Sequence, residues 1–111
     1  MKGCIMKIML RFESFSGHKI TSVEVDAQMP FDMHGLTFAV HRNVNHYGNI
    51  NRYEDKRWVV SEITTGAAVH YGKTRGEAIA NAHKILTDEG AEKTQKTVRK
   101  YRRSNKNKVK P

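Results

Sequence analysis

The sequence predicts one α+β domain, built from a largely antiparallel sheet of about five strands with one main C-terminal helix packed on one face and a basic tail. Several short segments alternate apolar and polar residues, as half-buried strands do. One later segment repeats small and apolar residues at helical spacing. The length of 111 residues supports one domain rather than two. We place the domain at residues 1–90 and a basic extension, partly helical or disordered, at residues 91–111.

Three strands are predicted in the first 42 residues. Residues 6–14 alternate between an apolar and a mostly charged face, and residues 16–19 suit a turn. Residues 20–26 mix β-branched and polar side chains in the manner of a strand, so they complete an N-terminal hairpin. Pro30 is expected to break the pattern, because proline has no N–H for the ladder. Residues 36–42 then form the third strand.

The middle of the chain predicts a loop and a second hairpin. Residues 43–55 contain four asparagines, which tolerate left-handed backbone and bond their own chain, so this asparagine-rich loop separates two strands. Residues 56–64 predict the fourth strand, Thr65 and Gly66 a turn, and residues 67–71 the fifth strand.

The best-marked helix follows that hairpin. Thr74 and Glu77 fit a capping box, in which the threonine accepts from a free amide and the glutamate reaches back. Gly90 is a suitable stop. One apolar stripe runs along the helix between these residues: Ala78, Ile79, Ala82, Ile85 and Leu86. The segment just after Gly90 is expected to continue as helix with Val98 and Tyr101 as weak contacts, and residues 104–111 to be disordered.

Positive charge is concentrated in the last fifth of the chain. Residues 1–90 hold 11 basic and 10 acidic side chains, whereas residues 91–111 hold nine basic side chains and only Glu92. Such a cluster can neutralise nucleic-acid phosphates without reading sequence, and Tyr101 within it can stack on an unpaired base. The nine candidate phosphate contacts are Lys93, Lys96, Arg99, Lys100, Arg102, Arg103, Lys106, Lys108 and Lys110.

A second cationic group is expected at one end of the sheet. Lys56 and Arg57 precede the fourth strand, while Lys73 and Arg75 flank the helix start, and an antiparallel hairpin would bring the two pairs together. Amides at a helix N-terminus also attract phosphate. Ordinary strand-end and first-turn charges would give the same pattern.

Residues 56–86 resemble two known families. They run strand, tight turn, strand, glycine and capped Ala-rich helix, an order that resembles the second half of a double-stranded RNA-binding domain. They are equally similar to the HicB-type antitoxin half-domain, in which Gly-x-Thr leads into a helix reading Glu-Ala-Ile-x-Asn-Ala; here these are Gly72, Thr74 and residues 77–82. The resemblance implies a β-β-α unit, with RNA in one case and a small RNase toxin in the other as the partner.

Other classes of function find little support in the sequence. The single Cys4 leaves no internal disulfide or cysteine-rich zinc site. No apolar stretch is long enough to span a membrane, and Lys2 and Lys7 do not suit a signal peptide, so a cytoplasmic protein of a bacterial host cell is expected. No catalytic constellation, cofactor motif or metal-ligand spacing stands out, and surface positions are expected for the six histidines: His18, His34, His41, His46, His70 and His83.

Three functional hypotheses remain. The first is a non-enzymatic nucleic-acid-binding accessory protein of the phage or mobile-element type, acting on RNA or DNA through the basic residues above. The second is a protein-binding inhibitor or regulator of a host nuclease complex, anti-CRISPR-like, which would bind an effector or its guide RNA. Residues of the asparagine-rich loop are candidates for contact with a partner: Tyr47, Arg52 and Tyr53. The third is an antitoxin-like partner of a small RNase toxin. A homodimer through a free sheet edge is compatible with each.

Overall fold

The computed structural model describes residues 6–13 and 20–108, with side chains described for residues 6–12 and 21–102. Five antiparallel strands follow one another in sequence order across one sheet, and two helices follow them, which confirms the predicted α+β class. The predicted turn at residues 16–19 lies outside the described residues. The strands are β1 (Met6–Glu13), β2 (Ile20–Met33), β3 (Leu36–Arg42), β4 (Trp58–Glu62) and β5 (Ala68–Gly72), and the helices are α1 (Arg75–Glu89) and α2 (Ala91–Lys108).

The second strand is twice as long as the sequence predicts. The expectation that it ends near Asp26 is wrong, because β2 continues through Pro30 to Met33. The register with β3 shifts between Gln28 and Phe31, and Met29 adopts a positive φ of 55° there. A bulge of this kind leaves residues out of the ladder, so a proline needs no N–H for pairing at that point.

One face of the sheet packs against α1. Phe38 and Val40 of β3 and Val60 of β4 are fully buried against the small residues of the helix, Ala78 and Ala82. Leu86 extends the same core one turn further, while Ile79 is only partly buried. The predicted stripe is therefore the contact face of the helix.

The opposite face holds a second core because the N-terminal hairpin curls over it. Ile8 and Leu10 of β1 are buried with Ala27 of β2 and Ala39 of β3. Gly66, in the turn between β4 and β5, lies against the backbone of Met9 and Leu10 with a φ of 75°, so the end of the second hairpin touches β1.

Buried Glu62 organises that turn. Its carboxylate is 1% exposed and accepts hydrogen bonds from the amides of Thr64 and Thr65 at 3.1 and 2.9 Å, and from both hydroxyls. A buried carboxylate with this many donors is fully satisfied. These hydrogen bonds fix the turn, which Arg102 of α2 contacts through Thr64.

The start and end of α1 follow the predicted signals. Thr74 Oγ1 accepts from the Glu77 amide at 3.1 Å, and the Glu77 carboxylate accepts from the Lys73 amide at 2.6 Å. Gly90 ends the helix with a φ of 84° while its amide donates to the Leu86 carbonyl. A positive φ at this place is available to glycine at little cost, so α2 begins in a new direction.

The basic extension is helical further than expected. The backbone of α2 continues to Lys108, into the segment for which the composition predicts disorder. Thr94 and Val98 are 4% and 3% exposed, and the Gln95 side chain donates to the His34 carbonyl at 2.6 Å. Val98 is therefore a buried contact rather than a weak one. Its burial stabilises a helix whose sequence is otherwise mostly charged.

Candidate nucleic-acid interface

Cationic side chains from three parts of the chain meet at one end of the sheet. Trp58, the first residue of β4, pairs with Gly72, the last residue of β5, which places the residues flanking both strands side by side. This group, which we call the basic end, consists of Arg42, Lys56, Arg57, Lys73 and Arg75. All but the partly buried Arg42 are exposed. The structure thus brings together the two pairs that sequence reasoning placed at one end.

Trp58 lies between two guanidinium groups. The Cζ atoms of Arg42 and Arg75 lie 5.1 and 4.8 Å from its ring centroid, within the range of a cation–π contact. Arg75 also donates to the Gln28 side chain at 3.2 Å. Sequence reasoning missed Arg42, although its place at the end of β3, directly opposite Trp58 in the register, is the signal that identifies it.

The charge of the basic end is only partly compensated. Lys73 Nζ is 3.9 Å from the Asp55 carboxylate, and both side chains are more than 60% exposed, so this pair contributes little to stability. Lys56 Nζ lies 5.3 Å from the centre of the Tyr71 ring. Cations near the first turn of α1 oppose the helix dipole, so the positive potential is reinforced rather than cancelled there.

The second helix presents its cations on the side away from the body. Its inner side carries Thr94, Gln95 and Val98, whereas the described basic residues of its first half are all exposed: Lys93, Lys96, Arg99 and Lys100. Lys93, Lys96 and Lys100 recur every three or four residues, which spaces them by about 4.5–6 Å along the axis on one side. Arg102 instead points toward the body, where it donates to Thr64 Oγ1 at 3.4 Å.

The described side chains of α2 end at Arg102. Arg103, Lys106 and Lys108 belong to α2, but their side chains lie outside the described residues, as does Lys110 as a whole. Where side chains are described, residues 6–12 and 21–102, the only ion pairs are Lys7 with Asp26 and Lys73 with Asp55. The described cations of α2 are therefore not neutralised by carboxylates of the chain itself.

The asparagine-rich loop is folded on itself and displays apolar side chains. The Asn45 carboxamide oxygen accepts from the amides of Tyr47 and Asn49 at 2.9 and 3.1 Å, and Val44 pairs with Ile50 in an isolated bridge. Tyr47, Ile50 and Tyr53 are 76%, 54% and 63% exposed, and Arg52 is exposed beside them. The prediction that the two tyrosines of this loop are exposed is confirmed.

His41 is buried, so the expectation that it lies at the surface is wrong. It is 2% exposed, its Nδ1 is 2.7 Å from the Arg42 carbonyl oxygen, and its Nε2 is 2.8 Å from Ser61 Oγ. Burial lowers the pKa of His41, and the hydrogen bond to the Arg42 carbonyl opposes that shift. Alternation within residues 36–42 places His41 opposite Val40, on the face that the curled hairpin covers, and only the tertiary fold reveals that cover.

Because His41 is buried, we expect the free energy of unfolding to fall as the pH is lowered. Because the pKa of folded His41 lies below its ordinary value of 6.5, the unfolded chain binds the proton more readily, and stability is lost as the pH falls below about 6.5. Urea unfolding of wild type and His41→Gln at about pH 7.5 and about pH 5.5 measures this difference. We expect the wild type to lose more stability than the variant. Equal losses in the two proteins would contradict the assignment.

The described residues form neither a metal-binding cluster nor a membrane-spanning helix. Among the described residues, no group of three or more His, Cys, Asp or Glu side chains is placed to hold a metal ion. Over that same part of the chain, neither helix has the length and apolar character needed to cross a membrane. No protein family, curated protein or solved structure matches the chain.

Proposed function

We propose that the protein is a non-enzymatic nucleic-acid-binding module that contacts the phosphate backbone through α2 and the basic end. The observation that carries the proposal is the exposed row of cations on α2, with no carboxylate partner among the described side chains, on a helix fixed to the body by Val98 and Gln95. Rigid cations lose less conformational entropy on binding than those of a disordered tail. Phosphate contacts of this kind release counterions and therefore depend on salt.

The basic end supplies a second contact of different chemistry. Arginine guanidinium groups form forked hydrogen bonds with phosphate, while lysines act as point charges. Arg57 and Arg75 are exposed for such contacts, and Arg75 already lies on the ring of Trp58. Binding of a phosphate by Arg75 would change the surroundings of the only tryptophan in the chain.

The test is a set of titrations with labelled duplex DNA, single-stranded DNA and RNA of equal length at two salt concentrations. We expect affinity that falls steeply with salt for at least one of the three, accompanied by a change in Trp58 emission. Loss of salt dependence, or no affinity for any of them, would overturn the proposal. Comparing the three ligands also decides between RNA and DNA.

One observation favours a second candidate, a protein-binding regulator such as an inhibitor of a host nuclease complex. Tyr47, Ile50 and Tyr53 expose apolar surface on a loop that its own hydrogen bonds hold in shape, and tyrosines are enriched in protein interfaces. If no nucleic acid binds, purification of partners from a nuclease-treated bacterial lysate tests this candidate. A partner retained by wild type and lost with Tyr47→Ser and Tyr53→Ser together would support it.

A further inference from the structure

Hydrogen bonds of a single residue join the asparagine-rich loop to the basic end. The Asn43 amide donates to the Arg57 carbonyl at 3.0 Å, and the Asn43 carboxamide donates to the Lys56 carbonyl at 2.8 Å. The Asn51 amide donates to the Asn43 carbonyl at 2.9 Å, and the Asn51 carboxamide donates to that of Asn43 at 3.1 Å. The returning arm of the loop is therefore held beside the start of β4, next to the basic end.

A concavity lies where the loop and the basic end meet. Its volume of about 760 Å³ is within the range of ligand sites, so it has room for more than a single ion. Three arginines and one glutamate line it, which gives the lining a net charge of +2. The lining residues come from both parts: Arg42 and Arg57 from the basic end, and Ile50, Asn51, Arg52 and Glu54 from the loop. The positive surface of the basic end thus continues into the loop.

Two of these three arginines are available to a ligand. Arg52 and Arg57 are exposed, and among the described side chains neither guanidinium group forms a hydrogen bond or an ion pair. Arg42 is partly buried instead and lies on the Trp58 ring, with 5.1 Å between its Cζ and the ring centroid. An exposed guanidinium group can form forked hydrogen bonds with a phosphate. Arg52 and Arg57 are therefore the side chains suited to hold a phosphate at this junction.

Two exposed tyrosine rings accompany these arginines. Tyr53 directly follows Arg52 and is 63% exposed, and Tyr47, in the turn of the loop, is 76% exposed. The Tyr47 ring centroid is 4.0 Å from that of His46, and the Tyr47 amide donates to the Asn45 carboxamide, so its ring and backbone are both held. A ring that is already held loses less conformational entropy when a ligand packs on it.

From these observations we infer that the asparagine-rich loop belongs to the nucleic-acid interface and binds a single strand. Tyr47 and Tyr53 stack on unpaired bases, while Arg52 and Arg57 hold phosphates of the same strand. The inference rests on the proposed function, since it names the kind of nucleic acid that the protein prefers. Bases inside a duplex are covered by their neighbours, so exposed rings can pack on base faces only where the bases are unpaired. The arginines beside the rings favour a polyanion over a protein as the occupant of the loop.

The test compares three ligands of equal length, made of whichever of DNA and RNA binds more tightly: a pyrimidine strand, the same backbone without bases, and a duplex. A surface that contacts phosphates alone binds the duplex best, because the duplex has the higher charge density. We instead expect wild type to prefer the pyrimidine strand to the duplex. It should also bind that strand at least about fivefold more tightly than the abasic one, as one stacked base requires.

Substitutions in the loop separate stacking from attraction of charge. Tyr47→Ser with Tyr53→Ser should lower the ratio of pyrimidine to abasic affinity toward one and keep the salt slope, because no charge is removed. Tyr47→Phe with Tyr53→Phe retains both rings and should keep the ratio. Arg52→Gln should lower the salt slope on a single strand by about 0.7. Met9→Ser, which removes an exposed apolar side chain from the edge strand β1, is the control and should change neither quantity.

The outcomes separate this inference from the proposed function. Equal affinity of wild type for pyrimidine and abasic strands, tighter binding of the duplex, or a ratio that the serine variant preserves overturns the stacking inference and leaves backbone binding intact. A protein retained from a nuclease-treated lysate by wild type but not by the serine variant, with the ratio unchanged, assigns the loop to a protein partner and also overturns it. If no strand binds, the proposed function fails and the inference fails with it.

Discussion

Replacing Lys96 and Lys100 with glutamine is expected to weaken nucleic-acid binding and to make it less sensitive to salt. Both side chains are exposed on the side of α2 that faces away from the body, and neither has an ion-pair partner among the described side chains. Each phosphate contact contributes a slope of about 0.9 in log affinity against log salt on duplex DNA and about 0.7 on a single strand. The double variant should therefore lower the slope by about two, or by about one and a half on a single strand.

The matched control removes the same charge elsewhere. Lys7→Gln with Lys84→Gln also lowers the net charge by two, but Lys7 lies on the edge strand β1, where it pairs with Asp26 of β2, and Lys84 is exposed on α1. If binding depends on the position of charge, the control keeps most of the slope. An equal fall in the two variants would show that net charge alone attracts the ligand, and would remove α2 from the interface.

Replacing Gly72 with alanine is expected to lower the free energy of unfolding by about 3 kcal/mol, at the upper end of the range for overpacking. A Cβ at this position would lie 2.8 Å from Ala78 Cα and as close to the carbonyl carbon of Glu77. These neighbours are backbone atoms of α1, so they cannot turn aside as a flexible side chain can. Gly72 allows the end of β5 to pass under the first turn of the helix, where Lys73 and Arg75 belong to the basic end.

Gly76→Ala makes the same substitution four residues after Gly72 and serves as the control. Nothing lies within 4 Å of a Cβ at Gly76. Alanine is favoured over glycine inside a helix by up to about 1 kcal/mol, so this variant should be slightly more stable than wild type. Urea unfolding of the three proteins measures both effects. A Gly72→Ala protein as stable as wild type would contradict the close packing of β5 on α1.

The elements that sequence predicted best are those whose signal is local. Leu36–Arg42 is a strand with the bounds that its alternation predicts, and Thr74 caps α1 through the atoms that the capping box requires. Both signals depend on neighbours within a few residues, so no distant contact is needed to interpret them.

The corrections all involve contacts between distant residues. Pro30 remains in β2 because a bulge against β3 accommodates it, and His41 is buried because β1, some thirty residues earlier, curls over its face. The helix in α2 persists because Val98 and Gln95 contact the body, although the sequence there is mostly charged.

By itself, the sequence determined the fold class, the order of the elements and the concentration of positive charge after residue 90, since composition and local periodicity specify each of these. Only the tertiary structure decided that Arg42 joins the basic end, that Trp58 lies between Arg42 and Arg75, and that α2 holds its lysines outward. The physical reason is that strand register and the curl of the sheet come from many weak packing contacts between residues far apart in the chain, and no short segment contains them.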